Sequence, residues 1–205
     1  NVQIRNKKFT KYISYNSIMF VSHIASYFDD NVRRPEFLYN SYKTYKDDRL
    51  DYEQGYVALD ELGDDLKRRL ENKAYTHIIL FCMGWNNNQE ESIYRYNTIV
   101  ANLKNIVPEK DFVPLIIGFT WPSVWFSIED NWLKKNALFM ASYFTKQDDA
   151  DEIGMTIANL VTHNIVLKAN KDANNDKHPK VIAIGHSMGA RILSRAIFSN
   201  EYIKP

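Results

Sequence analysis

Three stretches of strand length in this chain are almost purely apolar: "YTHIILFCMG" (residues 75–84), "FVPLIIGF" (112–119) and "KVIAIG" (180–185). The first is apolar on successive rather than alternate positions. That is the pattern of a strand buried on both faces, the habit of parallel strands covered by helices. Between the runs lie segments of helical period. Leu59, Leu62, Leu66 and Leu70 share one face of "LDELGDDLKRRLEN". Ile93, Tyr96, Ile99, Val100 and Leu103 recur at three and four, and Pro108 closes that helix. Ile153, Ile157, Leu160 and Val161 stripe a third helix, whose first turn is acidic and suits the helix dipole. Ile192, Leu193, Ala196 and Ile197 stripe a fourth. Strand and helix therefore alternate three times. The order predicts an α/β fold, a mostly parallel sheet with helices on both faces.

Residues 59–205 are expected to form the core of one domain. Residues 1–58 read as an N-terminal extension or as marginal strands of the same domain. Within them "SIMFVSHIASYF" suits a strand or a short helix, and "FLYNSYKTYKDDRLDYEQGY" reads as irregular or hairpin-like. The segment 120–147 makes one crossover unusually long and carries three tryptophans and three phenylalanines. Two readings stay open for it: a helix packed on the sheet, or an aromatic, cap-like insertion beside a pocket.

The third apolar run ends in "GHSMG", the pattern G-x-S-x-G, in a chain with only seven glycines. A serine forced into a sharp strand-to-helix turn brings the residues two before and two after it close to each other and to the next helix. Glycine at Gly185 and Gly189 avoids that clash. The turn lifts the Ser187 hydroxyl off the sheet and sets it at a helix N-terminus, where backbone N–H groups favour developing negative charge.

At this point the chain resembles the α/β-hydrolase superfamily. "GHSMGA" is similar to its nucleophile elbow, "IILFCMGWNNN" to its oxyanion strand and loop, and "LIIGFTWPS" to the strand between them. The Trp-Pro-Ser ending and the Gly-Trp-Asn loop are similar to a less characterised bacterial branch. The resemblance covers roughly residues 76–199. It implies Ser187 as nucleophile, with the backbone N–H groups of Met188 and Trp85 as oxyanion donors and Gly84 as the oxyanion-loop glycine. The family's histidine before that glycine is Met83 here. The activity implied is hydrolysis of an ester or thioester, esterase- or lipase-like, on a small-molecule or lipid-like acyl substrate. Trp121, Trp125, Phe126 and Trp132 would line the acyl pocket.

A serine hydroxyl needs a base, and the base an orienting acid. The superfamily's order is Ser, then Asp or Glu, then His. No histidine follows Ser187, and the acid that does, Glu201, lies fourteen residues on, ~20 Å along a helix. Either the chain is an N-terminal portion lacking the last strands and helices, completed by a C-terminal fragment or second chain, or an upstream histidine serves, His23 foremost. The first is the expectation. The alternative function is a non-catalytic interaction protein on a hydrolase scaffold.

Other classes find no support. The net charge is +1, from 26 basic and 25 acidic residues, which gives no basic surplus for nucleic acid. No apolar run reaches ~18 residues, so no membrane span is expected. The five histidines lack zinc-type spacing, and no metal or cofactor is called for. Cys82, the single cysteine, has no internal disulfide partner and sits in an apolar run, as a buried small hydrophobe would. A cytoplasmic setting is expected over secretion.

Overall fold

The computed structural model describes residues 9–15, 18–24, 49–87, 89–121, 123, 143, 146–173 and 178–200. Five strands form one sheet: β1 (Phe9–Tyr15), β2 (Ile18–Ile24), β3 (His77–Cys82), β4 (Pro114–Thr120) and β5 (Lys180–Gly185), in the order β1-β2-β4-β3-β5. β2, β4, β3 and β5 run parallel to one another. β1 pairs antiparallel with β2 at one margin. The sheet is thus mostly parallel, as expected.

Four helices pack on it: α1 (Arg49–Asn72), α2 (Gln89–Ile106), α3 (residues 146–172) and α4 (Met188–Phe198). Successive side chains of a strand point to opposite faces, and the core divides accordingly. Ile78, Leu80, Cys82, Leu115, Ile117 and Phe119 face one large cluster. Into it α1 sends Leu59, Leu62, Leu66 and Leu70, α3 sends Ile153, Ile157, Leu160 and Val161, and α4 sends Ile192, Leu193 and Ala196. The alternate residues Ile79, Phe81, Met83 and Ile116 face a smaller cluster built with Tyr96 and Val100 of α2. Among the described residues, helices cover both faces, three on one and one on the other.

Three features depart from the sequence pattern. The segment 49–56, expected to be irregular or hairpin-like, is the first part of α1, and α1 packs against β1 as well as against α3. Tertiary packing can hold a polar segment helical when local period does not announce it. α3 contains two π-type stretches, Gly154–Ala158 and Val161–Leu167. The first packs on α4 and the second on α1, so this helix is buried along two directions. Finally, β5 is apolar but largely exposed, with Ile182 at 38%. Its described strand neighbour is β3 alone, and it forms the sheet margin opposite β1.

Candidate active site

The C-terminal ends of β3 and β5 stand side by side, with Cys82 level with Gly185. β5 turns there into α4. Ser187 occupies the turn with φ 55° and ψ −124°. It is one of two non-glycine residues with positive φ among the described residues. Such a conformation strains an L-residue, at a cost of order 1–3 kcal/mol, and persists only where the surroundings impose it. The surroundings are visible. A Cβ on Gly185 would come within 2.4 Å of the Ala190 Cα. A Cβ on Gly189 would come within 2.1 Å of the Cys82 carbonyl oxygen. Both glycines are required by close backbone approach. The turn is tied down by the His186 N–H on the Cys82 carbonyl (3.0 Å) and the Gly189 N–H on the His186 carbonyl (2.9 Å).

Ser187 is exposed, and its hydroxyl makes no hydrogen bond capping α4. Met188 opens α4, where a helix leaves its first N–H groups without intrahelical carbonyls. Against this turn lies the loop after β3. A Cβ on Gly84 would come 2.7 Å from the His186 carbonyl oxygen, 2.8 Å from the Ser187 Cβ and 3.2 Å from the Met188 nitrogen. Ser187, Met188 and Gly84 therefore meet at one rim, and Trp85 follows Gly84 directly. Trp85 is half-buried and meets Tyr143 edge-on, with ring centroids 5.5 Å apart.

The loop is held from both sides. The Met83 N–H donates to the Tyr96 hydroxyl (2.8 Å), which donates in turn to the Phe119 carbonyl (2.6 Å). Burial pushes the Tyr96 phenol well above its usual pKa, so it keeps the proton it donates. The Trp121 indole N–H donates to the Met83 carbonyl (2.8 Å). Trp121, expected in the acyl pocket, is thus buried in the core with its one polar atom spent on the loop. Trp125, Phe126 and Trp132 lie outside the described residues, as does most of the segment 120–147. The cavity that does adjoin the turn, about 760 Å³, opens between α2 and the margin strand β5. Its walls include Met83, Glu91, Tyr94, Arg95, Ile184 and His186.

No histidine among the described residues other than His186 itself is placed near Ser187. His77 pairs with Lys180 at the opposite ends of their strands. His163 holds the Ala196 carbonyl (2.9 Å), nine residues along α4. His178 holds the Asn170 carbonyl (2.6 Å) before β5 begins. His23 lies at the matching rim of β2, but β2 stands three strand spacings from β5, about 14 Å. Glu201 lies outside the described residues.

Two arrangements escaped the sequence reading. One is the ion pair of Asp151 with Arg191 (2.5 and 2.7 Å) and Arg195 (3.1 Å), which joins the start of α3 to the serine helix. The hydrogen bond from Arg191 chiefly holds the Asp151 carboxyl below the usual carboxylate range. The other is Asn159, fully buried on α3, whose amide donates to the Ala196 and Asn200 carbonyls (3.1 and 3.0 Å). It supplies donors to the Ala196 carbonyl in the last turn of α4, which His163 also contacts, and to the Asn200 carbonyl just beyond the helix. An asparagine amid an apolar helical stripe was the only signal for it.

A family model described as an alpha/beta hydrolase of unknown function (DUF900) matches residues 59–199, more than two thirds of the chain. Neither curated proteins nor solved structures yield a match. With a mostly parallel sheet flanked by helices on both faces and a family match spanning all of it from β3 to α4, this chain belongs to the alpha/beta hydrolases of that family.

Proposed function

We propose that the chain carries the nucleophile and oxyanion amides of a serine hydrolase acting on a carboxylic ester or thioester. The observation that carries this reading is the strained conformation of Ser187 at the exposed tip of β5, with Gly84 packed against it. A fold has no reason to hold a serine in a costly conformation at a solvent-facing rim unless its hydroxyl is used there.

In this mechanism the Ser187 Oγ attacks the carbonyl carbon and loses its proton to a base. The carbonyl oxygen becomes an oxyanion and accepts hydrogen bonds from the Met188 and Trp85 N–H groups. Collapse expels the alcohol or thiol, which takes the proton from the base, and leaves an acyl ester on Ser187. Water then gives a proton to the same base as it attacks that ester, and collapse releases the carboxylic acid while the base returns the proton to the Ser187 Oγ. The base is none of the described histidines, on the distances above. In the superfamily the orienting acid and the histidine base follow the nucleophile, in the order Ser, acid, His.

A fluorophosphonate probe applied to the full gene product tests this. Covalent labelling that disappears in Ser187→Ala, together with hydrolysis of p-nitrophenyl esters, supports the enzyme. A folded full gene product that neither labels nor hydrolyses would leave the scaffold of a non-catalytic interaction protein.

A further inference from the structure

The oxyanion donor assigned to Trp85 is a backbone N–H, which no side-chain change short of proline removes. We propose that Asn87, clamped in turn by Ser123, is the positioning residue that aims it. This rests on the reading of Ser187 as nucleophile.

The geometry is specific. The Asn87 side-chain amide donates to the Gly84 carbonyl (3.2 Å) and to the Trp85 carbonyl (3.1 Å). The Gly84 carbonyl and the Trp85 N–H belong to one peptide plane. The described peptide bonds are trans, so the two groups point in opposite directions. Fixing the carbonyl on Asn87 therefore fixes the N–H on the far side of the plane. That plane starts at Gly84, where an added Cβ would lie 2.8 Å from the Ser187 Cβ and 3.2 Å from the Met188 nitrogen.

Asn87 is itself buried and doubly gripped by one hydroxyl. Its N–H donates to the Ser123 Oγ (3.1 Å), and the Ser123 hydroxyl donates to the Asn87 carbonyl (2.5 Å). The Ser123 carbonyl also accepts the N–H of Asn86 (3.3 Å), the second residue with positive φ. Ser123 comes from beyond β4, on the far side of the loop from the serine turn. The loop is thus held at one end by Tyr96 and Trp121 and at the other by Ser123, with Asn87 fixing the peptide between.

The test uses the full gene product. Asn87→Asp keeps size and shape but loses the donor. It is expected to lower kcat on p-nitrophenyl butyrate about ten- to a hundredfold, with KM within about twofold, because only the transition-state oxyanion feels a misaimed amide. Ser123→Ala is expected to lower kcat less, and Ser123→Thr, which keeps the hydroxyl, to restore most of it. Hydrogen exchange at the Asn86 and Asn87 amides is expected to rise in Ser123→Ala. If both Asn87→Asp and Ser123→Ala keep kcat within twofold, or lose it only in step with thermal stability, the positioning role is overturned. If Asn87→Asp does not fold, the Ser123 pair decides. If the wild-type protein neither hydrolyses the ester nor labels at Ser187, the hydrolase reading has failed. The exchange measurement then judges the clamp alone: unchanged exchange at Asn86 and Asn87 in Ser123→Ala overturns it.

Discussion

Gly84→Ala is the perturbation that bears most directly on the proposed site. The added methyl would lie 2.7 Å from the His186 carbonyl oxygen, 2.8 Å from the Ser187 Cβ and 3.2 Å from the Met188 nitrogen. None of these neighbours is the end of a flexible side chain. Relief requires the β3 loop and the serine turn to part by about 0.7 Å to reach ordinary contact. The loop resists through the bonds to Trp121 and Ser123, and the turn through the bond from His186 to Cys82. Overpacking of this kind costs about 1–3 kcal/mol. For a chain of this size that corresponds to a fall in Tm of about 2–12 °C. The same displacement spoils the alignment of the two amides, and an error of ~1 Å costs ~10²-fold, so ester hydrolysis is expected to drop about tenfold or more. Gly63→Ala is the control. Its methyl would meet only the Ile165 Cγ2, at an ordinary 3.6 Å, in the interior of α1. There alanine is expected to be neutral or to stabilise by up to ~1 kcal/mol. Thermal melts and p-nitrophenyl ester turnover of both variants decide the matter. If Gly84→Ala behaves like Gly63→Ala in both assays, the β3 loop does not rest on the serine turn, and the site as described is wrong.

Three further outcomes follow from the same contacts. Ser187→Gly should abolish probe labelling yet raise stability by about 1 kcal/mol in urea unfolding, since it relieves the positive φ and the hydroxyl caps nothing, whereas Ser187→Ala should abolish labelling without that gain. Asp151→Asn should destabilise the protein by less than about 1 kcal/mol at neutral pH, as the pair is partly exposed. Because the folded carboxyl is held below its unfolded value near 3.9, this contribution is present above that value and fades as pH falls through the lower folded one. Urea midpoints of wild type and Asp151→Asn should accordingly converge only below about pH 4. Asn159→Ala should cost about 0.5–1.5 kcal/mol through loss of the two hydrogen bonds, since the Ala196 carbonyl keeps its contact with His163 and Asn200 is exposed to water, and thermal unfolding measures it.

The alternation of apolar runs with leucine- and isoleucine-striped segments determined the layered α/β architecture, because short continuous apolar runs and a period of 3.6 are written into neighbouring residues. The same local logic put Ser187 on a tight turn: two glycines around one serine after an apolar strand leave few other conformations. What the linear order could not hold was decided by strand pairing. That β5 lies at a margin of the sheet, beside β3, brings residues 84 and 187 into contact across a hundred positions of sequence. Asn87 and Ser123 were legible only as polar letters in "WNNN" and "WPS", and Trp121 only as one aromatic among several. Their hydrogen bonds join residues 36 and 38 apart, and no periodicity encodes such a distance. The extension of α1 back to Arg49 and the π-type turns of α3 likewise arise from packing against β1, α1 and α4, where burial on more than one side outweighs local preference.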